Sequence, residues 1–366
     1  SLWRYAELLP CSASDATSLG EGLTPLLPAK AIGTLLDAPR LLIKDESKNP
    51  TWSHKDRFST VAVSVAKLQG ARVVATASSG NAGASLAAYA ARAGLGCVVV
   101  TFAGTAGVML KQAKKYGATV IPLVDKSQRW PLLATCVEEF GWFVTSPYRA
   151  PVIGSHPIGI EGYKTLAYEI VEQMHGAVPD WCVLPVCYGD ALAGMWQGFQ
   201  DLYIRGIINR LPKLVAAEVH GSLSNALACG GDTVAEVPAG FEALAVSIGT
   251  TRSAFQAVRV LRASGGTAVT VSNQGLIELQ NQLARTEGIL AELASVTPFA
   301  AISRLRQRQV IKQEDSVIAV VTGSGLKDLD RSIQNQTQET PFRSNEEALA
   351  FLRGIAEFSP AARVWP

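Results

Sequence analysis

The stretch "NPTWSHKDR", residues 49–57, sets a lysine where an extended segment feeds a helix. A desolvated amine at Lys55 serves as a nucleophile or Schiff-base former, whereas a solvated one is an ordinary helix-start lysine. Three further stretches carry comparable chemistry. "SSGNAG" (78–83) ends a strand and opens a helix. Free N–H groups there hold a carboxylate or phosphate, and Asn81 is a neutral donor to an oxygen; the same residues also make a plain cap. "LPVCYGDALAG" (184–194) is again strand, small-residue turn and helix. Such a turn aims several N–H groups at one phosphate without a basic residue, although it matches neither GxxxxGK[ST] nor GxGxxG. Asp190 is awkward in an anion site unless its side chain caps the helix and points away. In "VVTGSGLKD" (320–328), Thr322 and Ser324 stand at a strand end, where ligands of α/β proteins bind. Either hydroxyl can meet a ring nitrogen, or the stretch is a simple turn.

The elements that position these residues alternate. Apolar runs at 41–46, 72–78, 97–102, 119–124, 181–186, 213–219, 267–272 and 317–325 predict strands. Helical patterns separate them at 55–70, 80–94, 107–117, 160–174, 191–206, 254–266 and 273–288, with a last helix at 345–358 before a Pro-containing tail. This rhythm predicts an α/β fold whose mostly parallel sheets are covered on both faces. The Pro- and Gly-rich segment 141–160 predicts a loop between two α/β units.

The chain has 366 residues, a net charge of +2, 48% hydrophobic and 17% charged residues. The length predicts about two domains. The near-neutral balance argues against nucleic acid or an anionic membrane as a partner. Six scattered cysteines with no CxxC spacing argue against a zinc site or a disulfide scaffold, so no metal and a reducing, cytoplasmic setting are expected. No signal peptide and no apolar run of about 18–20 residues are visible.

Taken together, "SLGEGLTPL", "NPTWSHKDR", "SSGNAGASLAAYAARAG", "EGYKTLAYEI", "LPVCYGDALAGMWQGF" and "VTGSGLKD" resemble threonine synthases, in order and over nearly the whole chain. These are fold type II enzymes, the tryptophan synthase β-like superfamily dependent on pyridoxal 5'-phosphate (PLP). The resemblance implies a two-domain fold. Residues 1–52 plus 157–366 would form the large PLP-binding domain and 53–156 a smaller mobile domain. It implies Lys55 as the Schiff-base lysine, in the slot of the family's "NPTGSFKDR". Asn81 would meet the cofactor's phenolic oxygen. The turn Cys187, Tyr188, Gly189, Asp190 and Ala191 would cradle its phosphate. Thr322 would face its ring nitrogen with Ser324 close by. That neutral partner suits elimination and replacement more than transamination. Ser78 and Ser79, with Asn81, would hold the substrate carboxylate or a cofactor oxygen at the helix start. A homodimer acting on a small amino-acid substrate is implied as well.

Two departures bear on substrate. The family's Gly and Phe before the lysine are Trp52 and His54 here. Trp52 is expected to narrow the substrate pocket or stack near the ring. His54 is either a second acid/base or a packing residue with backbone partners. The family's phosphate-gripping stretch, "NS-x-NP-x-R-x-EG", reads "IGSHPIGIEG" (153–162). Its Arg slot is Gly159, its second Asn slot is His156, and its Asn-Ser pair is Ile153-Gly154. Arg149, or His156 with Ser155, is the candidate replacement. The sequence therefore predicts a PLP-dependent carbon–oxygen lyase or replacement enzyme with a non-standard substrate. A threonine synthase proper, or a binding protein that kept the fold without turnover, is the alternative.

Overall fold

The computed structural model describes residues 1–105, 107–150, 154–231, 233–333 and 341–355. Ten strands follow in order: β1 (Leu26–Pro28), β2 (Leu41–Asp45), β3 (Val73–Thr76), β4 (Gly96–Phe102), β5 (Thr119–Leu123), β6 (Phe143–Val144), β7 (Trp181–Pro185), β8 (Lys213–Glu218), β9 (Thr267–Thr270) and β10 (Val317–Val321). They make two sheets. One has six strands in the order β1-β2-β10-β7-β8-β9, and the other four in the order β5-β4-β3-β6. Every pairing is parallel except β1 with β2. The fold is thus a two-sheet, mostly parallel α/β architecture.

Strand β10, the last in sequence, lies between β2 and β7. The chain order reverses there, and the crevice at the carboxyl ends of such strands is where α/β proteins bind ligands. The loops leaving β2, β7 and β10 carry Lys55, the 187–191 turn and Thr322. All five β10 residues are buried, because helices cover both faces. Alternation splits the core: Ile318 and Val320 join one apolar cluster with Leu184 and Leu214, while Val317, Ala319 and Val321 join the other with Val183 and Phe299.

The four strands of the smaller sheet all fall within 53–156, and the six of the larger sheet all fall outside it. Close packing nevertheless gathers residues 1–332 into one compact unit, with a second from residue 333 onward. In that second unit the helix Asn345–Ile355 carries Glu346 and Glu347 in its first turn, where carboxylates favour the helix dipole, and Phe342 packs on Phe351 with ring centroids 5.2 Å apart. Residues 356–358 of the expected helix lie outside the described residues.

The segment 141–160 is not wholly a loop. It contains β6, paired with β3, and the short helix Pro157–Ile160. The helices Arg129–Phe140 and Leu293–Gln307 lack the expected signals because each contains a proline. Pro131 is harmless in a first turn, whose N–H groups have no intrahelical acceptor. All six cysteines are free thiols. No helix among the described residues is long and apolar enough to cross a membrane.

Candidate active site

Lys55 opens the helix Lys55–Leu68, and the residues just before it are zipped to the end of β10. Ser53 bridges Gly323, Ser324 N donates to Trp52 O at 3.1 Å, and His54 N donates to Thr322 O at 2.9 Å. The His54 ring adds Nδ1 to the same carbonyl at 3.1 Å and stacks on Tyr163, with centroids 5.4 Å apart. Burial, and then the neighbouring Lys55, hold the imidazole well below its ordinary pKa. His54 is therefore neutral and packed, with a backbone partner. Lys55 is half-buried, and its Nζ lies 5.7 Å from the Tyr163 ring centroid.

Trp52 takes the left-handed conformation (φ 65°) at the position where the family pattern has glycine. Its indole is 46% exposed and lines a surface cavity of about 470 Å³ with Pro50, Leu290 and Leu326. Its backbone carbonyl is what joins the end of β10, accepting from Ser324 N.

Behind Lys55 the helix is anchored by charge. Arg57 is fully buried and pairs with Glu46 at 2.6 Å and Glu169 at 2.6 Å, while Lys44 reaches Glu169 at 2.7 Å. Asp56 accepts from Thr51 N (2.6 Å), Thr51 Oγ1 (2.5 Å) and Ser85 Oγ (2.6 Å). Burial nonetheless pushes its carboxyl up to about 6.

Opposite stands the "SSGNAG" turn, where Ser78 and Ser79 lead into the helix Asn81–Ala93. Gly83 is required there, because a Cβ would overlap the Ser78 carbonyl. Asn81 is held from both sides. Its Nδ2 donates to Glu292 Oε2 at 2.7 Å, and its Oδ1 accepts from Lys327 Nζ at 2.7 Å. Burial lowers Lys327 to about 8. Thr322 Oγ1 is 2.9 Å from Ser295 Oγ, so two neutral hydroxyls sit at the β10 end.

The 187–191 turn leads into the helix Asp190–Ile204. Gly189 has φ 88°, and a Cβ on it would lie 2.5 Å from the Ala257 Cβ. Only glycine lets the backbone pass so closely. Ser253 Oγ donates to Cys187 O at 2.6 Å and fixes the turn from below. Asp190 turns away from the helix start. It accepts from Ser155 N (3.0 Å), Ser155 Oγ (2.7 Å) and Gln256 Nε2 (2.6 Å). The first-turn N–H groups, Ala191 among them, stay unopposed by that carboxylate. Burial raises the Cys187 thiol and the Tyr188 phenol to about 12 each, and Lys55 is near enough to Cys187 to draw it partly back.

The substrate-phosphate slots differ from their expected roles. Arg149 is 61% exposed, pairs with Glu138 at 2.6 Å and lies over its neighbour Tyr148. Its partner here is a surface carboxylate, and no described contact brings it to the Lys55 crevice. His156 packs on Phe143 at 4.4 Å with Nδ1 buried and unpartnered, and burial lowers its pKa. At Gly159 a Cβ would overlap the Phe58 ring. Position 153 lies outside the described residues.

Tyr163, Phe58, Ser295, Glu292 and Lys327 were not singled out by the sequence. Tyr163 lies inside "EGYKT" and Lys327 inside "GSGLKD", both of which were read only for their pattern. Glu292 has no local signal.

An amine at a helix start, a glycine-hinged N–H turn, paired hydroxyls at a strand end and a held amide converge on one crevice. Buried Ser53 Oγ and Tyr163 OH, both without partners, leave polar atoms for a ligand to satisfy. That constellation fits a phosphorylated ring aldehyde captured by a lysine. The family profile "Pyridoxal-phosphate dependent enzyme" matches residues 17–323, and the chain belongs to that family. It is a PLP-dependent enzyme of the threonine synthase-like, fold type II kind. Over 339 residues it is 34% identical to threonine synthase of Methanocaldococcus jannaschii, covering 91% of this chain and 82% of that one. It is 35% identical to threonine synthase of Bacillus sp. (strain ULM1), covering 94% and 95%. In fold it resembles maize serine racemase (TM-score 0.71, 20% identity, 84% of this chain and 89% of that one). It also resembles a fungal L-serine ammonia-lyase from Rhizomucor miehei (TM-score 0.70, 18% identity, 85% and 97%).

Proposed function

We propose that the protein is a PLP-dependent lyase or replacement enzyme for an amino acid that loses a β- or γ-substituent other than a phosphate dianion. The observation that carries this reading is the Phe58 ring, which fills the space beside Gly159 where the threonine synthase pattern puts an arginine. The neighbouring candidates supply no charge. His156 is neutral, and Arg149 is bound to Glu138. A phosphate dianion without a charge-assisted donor loses about 1.5–3 kcal/mol per missing hydrogen bond.

PLP, when bound, stabilises a carbanion at the substrate α-carbon. Lys55 would hold the cofactor, yield to the substrate amine and then take the α-proton. The Gly189 turn and the helix start after it would hold the cofactor phosphate. Thr322, steadied by Ser295, would offer the ring nitrogen a neutral hydroxyl. Ser78 and Ser79 would hold the substrate carboxylate, and Asn81 the cofactor's phenolic oxygen.

A second reading, threonine synthase acting on O-phosphohomoserine, is supported by the 34–35% identity to threonine synthases and by the buried amine of Lys327 beside Asn81. Steady-state kinetics of the PLP-loaded protein separate the two. The first reading expects kcat/KM for O-phospho-L-homoserine at least about tenfold below that for an unphosphorylated amino acid. Robust threonine formation from O-phospho-L-homoserine would establish the second.

A further inference from the structure

Tyr163 is fully buried, yet its hydroxyl has no hydrogen-bond partner among the described residues. A buried phenol normally finds one, and an unmet donor costs about 1–3 kcal/mol. The ring is fixed on several sides. It stacks on His54, lies 6.0 Å from the Phe58 ring, and packs so closely on Gly194 that a Cβ there would lie 2.5 Å from its own. Lys55 Nζ sits 5.7 Å from its centroid. His54 and Phe58 on one side and Gly194 on the other place the ring between the helix that Lys55 opens and the helix Asp190–Ile204. Burial, with the carboxylates of Asp190 and Asp56, keeps it protonated far above neutral pH. In the resting site it is therefore a donor.

We propose that Tyr163 is the proton donor to the departing group of the substrate, and that this group is an uncharged oxygen substituent, a hydroxyl. The inference rests on the lyase reading above and narrows its substrate class. The Phe58 ring packed beside Tyr163 fills the space at Gly159, so this wall offers a dianion no charged donor and suits a neutral leaving group. The step balances without any further reagent. The Lys55 amine takes the α-proton, and the carbon–oxygen bond breaks with its electron pair going to oxygen. That oxygen takes the phenol proton and leaves as water. The Lys55 ammonium then returns a proton to the phenolate. The α-proton has in effect passed to the leaving oxygen through two side chains.

The test compares wild type with Tyr163→Phe, both loaded with PLP, on hydroxy amino acids (L-serine, L-threonine, L-homoserine) and on β-chloro-L-alanine, whose chloride leaves without a proton. For the hydroxy amino acid that wild type consumes, Y163F should lose about a hundredfold in kcat. On β-chloro-L-alanine its loss should stay within about threefold. Its melting temperature should hold or rise, because an unmet buried hydroxyl is removed. Equal losses on both substrates, or a lowered melting temperature, would make Tyr163 a packing residue. No loss on either would remove it from the reaction. Turnover by wild type of β-chloro-L-alanine or a phosphorylated amino acid but of no hydroxy amino acid would overturn the leaving-group assignment while leaving the lyase reading intact. Absence of turnover on every amino acid would instead sink the lyase reading itself.

Discussion

At the residue scale the site rests on one amine. Lys55 follows His54, which the Thr322 carbonyl holds at the end of β10 beside the β2–β10–β7 crevice. Lys55→Ala should therefore abolish covalent capture of PLP. Borohydride reduction followed by peptide mass analysis should show cofactor on the 55-containing peptide of wild type and on no peptide of the variant. Cofactor retained on another lysine, Lys327 above all, would move the assignment. Lys55, Thr322 and the 187–191 turn were legible because each lies in a short contiguous stretch where a strand gives way to a turn or helix. Glu292 and Lys327 were not. They reach Asn81 across 211 and 246 residues, and no local pattern announces a contact of that separation. His54 was legible as an ambiguity, which the structure resolves through its burial and its Thr322 partner. Arg149 was legible only as a lone cation, because its position in the sequence says nothing of its partner, here Glu138.

At the element scale, the long helices and most strands follow from apolar runs ended by glycine, as at Gly94 and Gly141, both left-handed. The two-residue β6 carries too little pattern to register, and the proline in the Leu293–Gln307 helix hides it. The turn before Asp190–Ile204 makes the sharper prediction. Gly189→Ala forces a Cβ toward Ala257 at φ 88°. It should cost about 1–3 kcal/mol of stability and weaken PLP binding by about tenfold or more, since the N–H groups that would face the phosphate shift with the turn. Thermal melts with and without PLP, and a PLP titration, measure both. Unchanged PLP affinity in a folded variant would place the phosphate elsewhere.

At the scale of the molecule, the two sheets obey the sequence rhythm, but the helix that carries Lys55 does not respect a boundary at residue 53. By sequence it opens the four-stranded half. By packing it is bound to the six-stranded one, for Gly162 admits the Arg57 carbonyl so closely that no Cβ fits, and Arg57 bonds Glu46 and Glu169. The balance inside this cluster is two buried cations, Lys44 and Arg57, against two buried carboxylates. Burial pushes both glutamates up, but Arg57 and Lys44 together outweigh it, and both end below the ordinary 4.5. Carboxyls depressed in the folded state contribute stability that is present above pH 4.5 and lost as pH falls through their folded values. Glu169→Gln removes one anion and strands Lys44 and Arg57 with a single buried carboxylate. It should cost about 3–5 kcal/mol. It should also flatten the loss of stability below pH 4.5 that urea titrations of wild type show. A variant as stable as wild type at pH 7, with the same acid profile, would mean that the cluster does not anchor the Lys55 helix. The position of the amine would then have to come from the His54–Thr322 contact alone.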